Sequence, residues 1–498
     1  MSLAVLHEGA APYALLRITA AARERLEKHL YKRYPKREWG TFFRFGYRVT
    51  AWGLLITYVD ALWPEPGDLD RQSPIVDIQS CYSLRALDQL RAEPLGIGVI
   101  HSHPEGYGVG PSPLDDDMDS YYEGFFGDFA SDRPYASLIF SRDRDGGFHF
   151  SGRIWHHGKL LPLRSLHTIG EALLTREDAT RRHKVTSEKP ATRQTAARLD
   201  AALGSVASER LKAARVAVIG CSGTGSPAIE MLTRAGVGEL VVVDFDTFDD
   251  SNLERIHGSG FVDLERQPLK VRLMTEMVHG INPDCRVTAI VGNILDEQVI
   301  DEILRCDVAL GCTDTNHSRA MLGDLASHYL LPSIDVGVGI ESNAGKITAQ
   351  VCDFAMNSPG EPCPYCDGRI DQEQLAVELM SEAEKAQRKE AALDAERRGI
   401  DGRQYWRGEL PQLLTVGYVT TAVGSLLVGY TIGWLTGSFS MPHRHFQFDL
   451  NAPLLGAVDV PRFRKDGCSC ERMRGWGDQA LASRSVSKPR HWAAPRLL

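Results

Sequence analysis

A chain of 498 residues is too long for one ordinary core, and at roughly 100–200 residues per domain it divides into two or three. Its 43% hydrophobic and 24% charged residues exclude a disordered class, and a net charge of -9 with a pI near 6.0 argues against a nucleic-acid surface. A nucleotide or another protein fits that surface better. The N-terminus lacks the basic start, apolar core and small-residue cleavage site of a secretory signal, so a cytoplasmic protein is expected. In a reducing compartment the paired cysteines read as metal ligands and the lone ones as small core residues.

Residues 10–160 alternate apolar strands with short helices, and "TAAARERLEKHLYKRY" is amphipathic at helical spacing. Within this stretch "GVIHSHPEGYGVGPSPLDDD" ends a strand in His101 and His103 and continues to Ser112 and Asp115. Two histidines two apart on a strand end project the same way. With one carboxylate they make three zinc ligands and leave a fourth position for water. Upstream, Glu38 in "REWGTFFRFG" precedes a strand, where its carboxylate can take the proton from that water. The arrangement resembles the JAB/JAMM (MPN) metalloprotease family, whose active members cleave isopeptide bonds to ubiquitin or trim modifier precursors. The resemblance implies an α/β metalloprotease domain over residues 1–165. His101, His103 and Asp115 would bind catalytic Zn2+, Glu38 would be the general acid/base, and Ser112 would donate to the tetrahedral oxyanion. The loop from His103 to Ser112 is one residue longer than usual; the S-x-x-D spacing favours Asp115, with Asp116 as the alternative.

From about residue 161 the chain turns polar and basic without a sustained apolar period, so residues 166–190 read as a linker. Then "ARVAVIG", "AIEMLTRAG" and "ELVVVDFD" read as strand, helix and strand, and "CDVALGCTD" and "LPSIDVGVG" repeat the strand-then-turn pattern. A mostly parallel sheet covered by helices is the economical fold. Gly220, Gly223 and Gly225 lie in a G-x-x-G-x-G run between strand and helix, where backbone amides can approach phosphate. Asp244 closes the next strand, placed to accept ribose hydroxyls, with Asp246 beside it. A dinucleotide oxidoreductase is the first rival. The run "DFDTFDDSNLERI", Lys270, "NPD" and "CTDTNHSR" turn the reading, because together they resemble the ThiF/MoeB superfamily of ubiquitin-like-protein activating enzymes. That resemblance covers roughly residues 190–440 and implies a Rossmann-like ATP-dependent adenylation domain over 191–445. In it Asp244 would hold the ribose, Asn252, Arg255 and Lys270 the triphosphate, and Asp314 the Mg2+. The residue types suit the chemistry, since a carboxylate attacking the α-phosphate needs cations around the transferring group and an acidic magnesium ligand. The family also implies a homodimer in which an upstream arginine, Arg193 or Arg198, reaches the partner subunit's nucleotide.

Cys363, Cys366, Cys468 and Cys470 supply four thiolates, enough for a structural Zn2+, and residues 446–498 are read as a tail completing that site. The second pair is CxC where relatives commonly carry CxxC. Enzymes that pass a modifier on as a thioester usually keep a cysteine in the crossover segment, and residues 367–467 contain none. The charged "SEAEKAQRKEAALDAERRG" reads as a solvated helix or excursion. Leu413–Thr436 is uncharged and long enough to span a bilayer, but its glycines, threonines and lack of basic flanks favour a buried core or dimer-face helix, with no membrane contact. The expectation is a bifunctional enzyme of a prokaryotic-type ubiquitin-like system, joining adenylation of a modifier's C-terminal glycine to zinc-dependent processing, with or without a separate conjugating enzyme. Sulfur-carrier activation and trimming, and a non-catalytic binding scaffold, are the alternatives.

Overall fold

A computed structural model describes residues 10–69, 77–179, 197–406, 415–439, 441, 444–452, 456–484 and 486–498. Two sheets organise them. The first takes β1 (Tyr13–Thr19), β2 (Gly40–Thr50), β3 (Gly53–Leu62), β4 (Gly96–Ser102), β5 (Tyr135–Arg142), β6 (Phe148–His156), β7 (Lys159–Ile169) and β8 (Leu174–Asp178). Their order is β1-β3-β2-β4-β5-β6-β7-β8, and β1 also pairs with β7, so the sheet closes on itself. Helix α1 (Ala20–Leu30), the predicted amphipathic segment, buries Leu26 and Leu30 against it. Helices α2 (Ser80–Ala92) and α3 (Pro113–Gly127) cover another face through Tyr82, Leu87, Tyr122 and Phe126.

The second sheet takes β9 (Arg215–Ile219), β10 (Glu239–Val243), β11 (Arg286–Val291), β12 (Val308–Gly311), β13 (Ser333–Asn343), β14 (Lys346–Asn357), β15 (His445–Asp449), β16 (Val458–Asp459) and β17 (Arg496–Leu497). In the order β16-β15-β14-β13-β12-β9-β10-β11-β17, the central five strands from β13 to β11 are parallel and the flanks antiparallel. Parallel strands are covered on both faces and therefore read as unbroken apolar runs; every residue of β9 is buried. The helices are α4 (Ala197–Leu203), α5 (Ser205–Ala213), α6 (Gly225–Arg234), α7 (Asp263–Arg266), α8 (Lys270–Ile281), α9 (Glu297–Ile303), α10 (Asn316–His328), α11 (Gln372–Leu379), α12 (Glu382–Arg397), α13 (Gly417–Thr436) and α14 (Ser469–Arg472). The charged stretch forms α12. Among the described residues α13 alone is long and apolar enough to cross a membrane, and it packs against α5, α6 and β13 with Val419, Val423 and Leu427 fully buried.

Two expected boundaries fall inside strands. β7 continues to Ile169 and β8 follows at Leu174–Asp178, so the first part of the expected 166–190 linker is sheet; residues 180–190 lie outside the described ones. β8 is an edge strand that buries only Leu174, and that single apolar position left no period to read. The expected tail is likewise built in: β15 spans residue 446 and pairs with β14, while β17 pairs with β11.

The two halves share a core. Leu15, Trp52 and Leu55 of the first sheet pack with Ile219, Ile300, Leu325 and Tyr329 of the second. Arg17 on β1 is fully buried and donates to the carbonyls of Leu304 (2.6 Å), Cys306 (2.9 Å) and Tyr329 (3.3 Å). Leu304 and Tyr329 cap the C-termini of α9 and α10, where the helix dipoles favour a cation. Burial lowers the guanidinium to about 10, so it stays charged at neutral pH.

His328, the last residue of α10, is buried with both ring nitrogens unpartnered. Burial, helped by Arg484, lowers its pKa to about 4. Between that value and the unfolded value of about 6.5 the unfolded chain binds more protons, so stability falls as pH drops through this window. The loss expected from this one residue is on the order of 3 kcal/mol, and denaturant unfolding at pH 7 and pH 4 should show it shrinking in His328→Gln.

Candidate nucleotide cavity and metal centres

In the parallel sheet β10 lies on one side of β9 and β12 on the other, which is the topological switch point where open α/β sheets bind ligands at the C-terminal strand ends. A cavity of about 540 Å³ opens there. The loops after β9 and β12 meet at its floor: Gly220 has φ +95°, and a Cβ on it would stand 2.5 Å from the Cys312 carbonyl. Gly225, the first residue of α6, sits behind the turn, where a Cβ would strike the Gly220 carbonyl at 1.8 Å. Only glycines permit this tight path, which brings Ser222, Gly223 and Thr224 into the cavity wall.

Gly220, Gly223, Asp244, Asp246, Arg255, Lys270 and Asp314 all line the cavity. The Asp244 carboxylate accepts from Cys221 N (2.7 Å) and Asp246 N (2.8 Å), and burial raises its pKa against the opposing pull of Lys270. Lys270, buried at the start of α8, donates from Nζ to Asp246 Oδ2 at 2.7 Å. Arg255 reaches Thr415 Oγ1 at 3.1 Å, and its buried Nε has no partner. Asp314 is an exposed carboxylate between β12 and α10. Asn252 and Gly225 are not in the wall; Asn252 is buried with its amide on Asp249 and Ser251 and its Oδ1 unpartnered. Arg198 stands exposed on α4, and Arg193 lies outside the described residues.

The wall also holds residues that the sequence reading gave no role. Arg319 and Arg369 share Asp335 Oδ2 at 2.7 and 3.2 Å, and Arg369 continues to Asp367, beside Cys366. Asn316 and His317 open α10 and donate their backbone amides, each at 2.9 Å, to the Glu378 carboxylate of α11. Thr415 and Thr420 come from in front of and within α13. Asn316, His317 and Arg319 lie within the quoted "CTDTNHSR" motif, so they were within reach of the reading; Arg369, Thr415 and Thr420 depend on long-range packing.

The second candidate site lies in the first sheet. β2 runs antiparallel to β4 with Gly40 opposite His101, and Trp39 and Ser102 exchange hydrogen bonds, which brings Glu38 toward His103. Ser112 caps α3: its Oγ accepts from Asp115 N at 3.2 Å and donates to Asp115 Oδ2 at 2.7 Å, a capping box that aims the carboxylate. Asp115 Oδ1 lies 3.1 Å from His101 Nε2 and Oδ2 lies 3.5 Å from His103 Nε2. Asp116 turns away to Arg153. His103 Nδ1 is 3.0 Å from the Gly108 carbonyl, which fixes the proton on Nδ1 and frees the Nε2 lone pair. His101 is buried with no partner at Nδ1, and its Nε2 faces only the Asp115 carboxylate. Burial disfavours charge on Asp115, but its histidine partners and the Ser112 amide hold its pKa far below the ordinary carboxylate range. Ligands about 2.1 Å from a tetrahedral zinc stand about 3.4 Å apart, so the triad fits that ion.

The four cysteines converge as well. Cys363 Sγ is 3.7 Å from Cys366 Sγ and 3.8 Å from Cys468 Sγ, and Cys366 Sγ is 3.8 Å from Cys470 Sγ. Thiolates 2.3 Å from a tetrahedral zinc form edges of about 3.8 Å, while a disulfide would need about 2.05 Å. The CxC spacing thus closes the same cluster that CxxC would.

The chain is 32% identical over 159 residues to the adenylyltransferase and sulfurtransferase UBA4 of Kluyveromyces lactis, covering 32% of this chain and 33% of that protein. It is 33% identical over 159 residues to the SAMP-activating enzyme E1 of Haloferax volcanii, covering 32% and 54%. Over 124 residues it is 36% identical to the probable adenylyltransferase/sulfurtransferase MoeZ of Mycobacterium tuberculosis, covering 25% and 31%. The chain therefore spans about a third to about a half of the length of these curated relatives. Among solved structures, E. coli MccB with ATP is similar at 16% identity and a TM-score of 0.41, covering 56% of this chain and 76% of that one. A family model described as the ThiF family matches residues 193–470. That match takes in more than half of the residues, and the chain belongs to the ThiF family.

Proposed function

We propose that the chain is a bifunctional enzyme of a prokaryotic-type ubiquitin-like system: it adenylates the C-terminal glycine of a β-grasp protein and, in its first sheet, processes or removes that modifier as a JAMM-type peptidase. The observation that carries the first activity is the convergence in one cavity of the glycine turn, Asp244, Arg255, Lys270 and Asp314. In the reaction a carboxylate oxygen of the glycine attacks the α-phosphorus of ATP and the bond to pyrophosphate breaks. Arg255 and Lys270 neutralise charge on the phosphates, the amides of the glycine turn donate to them, and Asp244 accepts from the ribose. Magnesium held by Asp314 would neutralise charge on the departing pyrophosphate.

Support for the second activity is the buried His101, His103 and Asp115 triad with its unpartnered imidazole and Glu38 alongside. Zinc held there would supply an activated water. Glu38, alongside the triad, is the acid/base that would accept a proton from water and return it to the leaving amine. In a homodimer, Arg198 of α4 or Arg193 would reach the partner subunit's nucleotide.

The relatives named as adenylyltransferase and sulfurtransferase favour a second reading, activation of a sulfur carrier. The same first step serves both, and the mass of the carrier after incubation separates them: a gain of sulfur marks carrier activation, protein adducts mark conjugation. ATP–pyrophosphate exchange tests the adenylation itself. Exchange that requires a β-grasp protein ending in glycine supports it; none with any such protein leaves a nucleotide-binding scaffold. Elemental analysis is expected to find two zinc ions per chain, with Cys468→Ser losing one and His101→Ala the other.

A further inference from the structure

The α3-facing surface of the first sheet carries more polar chemistry than the metal triad uses. Register places Val99 beside Ser137 and Ser137 beside Arg153, while His101 stands two residues beyond Val99 on the same face. From the helix side Asp119 follows Asp115 by one turn, so both carboxylates point at this surface. Asp119 is 1% exposed. Arg153 holds its Oδ2 and spans to Asp116 as well. Its Oδ1 has no hydrogen-bond partner, and neither has Ser137 Oγ nor His101 Nδ1, all three buried.

Buried polar atoms are rarely left unpaired, so a cluster of them on one face calls for a common account. When the lone pair of His101 Nε2 faces a metal shared with Asp115, the ring proton must sit on Nδ1, and that N–H needs an acceptor. The nearby acceptor is the Asp119 carboxylate, which stands close enough to His101 to feel its charge and close enough to Ser137 for that hydroxyl to favour its charged form. Burial raises the Asp119 pKa, and Arg153 and Ser137 work against that shift.

We propose that Asp119 is the positioning carboxylate of the metal centre, accepting the Nδ1–H of His101 directly or through one water and so fixing the tautomer and orientation of that ligand. The proposal rests on the reading of His101, His103 and Asp115 as a metal site. It gives Arg153 a purpose too: the guanidinium holds Asp119 in place while its other arm holds Asp116 away from the triad.

Cobalt titration of the full chain tests this, because its visible bands report ligand geometry and those of the triad differ from the thiolate bands of the four-cysteine cluster. Asp119→Leu is expected to weaken cobalt binding at the triad by about 10–100-fold and to shift its bands. Asp119→Asn keeps an acceptor oxygen and is expected to retain part of the affinity. The thiolate bands, unchanged in both variants, certify folding; if Asp119→Leu loses them, Asp119→Asn decides. Wild-type affinity and bands in the variants would overturn the positioning role while leaving the metal site intact. No cobalt uptake beyond the thiolate cluster in the wild-type protein, with His101→Ala identical to it, would remove the metal site and this proposal together.

Discussion

Lys270→Ala is expected to lower glycine-dependent ATP–pyrophosphate exchange by at least about 100-fold, the cost of removing one pre-placed charge from a transferring group. Lys270 is 6% exposed and opens α8, and its ammonium is held 2.7 Å from Asp246 at the edge of the cavity. A lysine parked on a carboxylate is desolvated in advance and has a short path to an incoming phosphate. The measurement needs one control, since the same pair could be a strut. Asp246→Asn leaves the ammonium in place and should keep most of the exchange; a loss as deep as that of Lys270→Ala would make the pair structural and remove Lys270 from the phosphate site. Comparing the nucleotide Kd with the exchange rate then separates binding of ATP from stabilisation of the departing pyrophosphate.

Arg17→Met is expected to cost about 3–6 kcal/mol of stability, read from urea unfolding at pH 7. The substitution keeps the apolar stem but strips three buried carbonyls, those of Leu304, Cys306 and Tyr329, of their only described side-chain donor. Among the described residues no carboxylate makes a hydrogen bond to Arg17, so the usual compensation, in which an apolar pair replaces an ion pair at no loss, does not operate here. The effect should appear in both halves, because the carbonyls belong to the second sheet's helices and the arginine to the first sheet. A change below about 1 kcal/mol would mean that water enters and satisfies the carbonyls.

Much of this was legible in the sequence where a chemical requirement is local. The unbroken apolar run of β9, the glycines that only a tight turn demands and the His101 and His103 pair each carry their reason within a few residues. The four cysteines were legible at long range because thiols are rare and their chemistry narrow. What was not legible has partners far away. Arg17 meets Tyr329 across 312 positions, and nothing in "ALLRIT" tells a buried arginine from a solvated one. β8 and β17 are too short or too polar to show a period, and they are strands only because an existing sheet offers an edge. Asp119 was hidden by its neighbours: in "PLDDDMDSYY" four aspartates crowd one helix, and only packing separates Asp115 facing the histidines, Asp116 on Arg153 and the buried Asp119.

The apolar helix α13 carries a hazard that the order of synthesis resolves. A segment of twenty residues with no charge, released into water alone, would seek a lipid bilayer or another copy of itself. Its docking partners α5, α6 and β13 all precede it in the chain. Translation delivers residues at roughly 5–20 per second, so by the time Thr436 leaves the ribosome the residues that form its groove have been outside for many seconds. The most membrane-like stretch of the protein emerges after the surfaces that receive it. Moving it ahead of them, by circular permutation between α12 and α13, should preserve every native contact and still lower the yield of soluble chain.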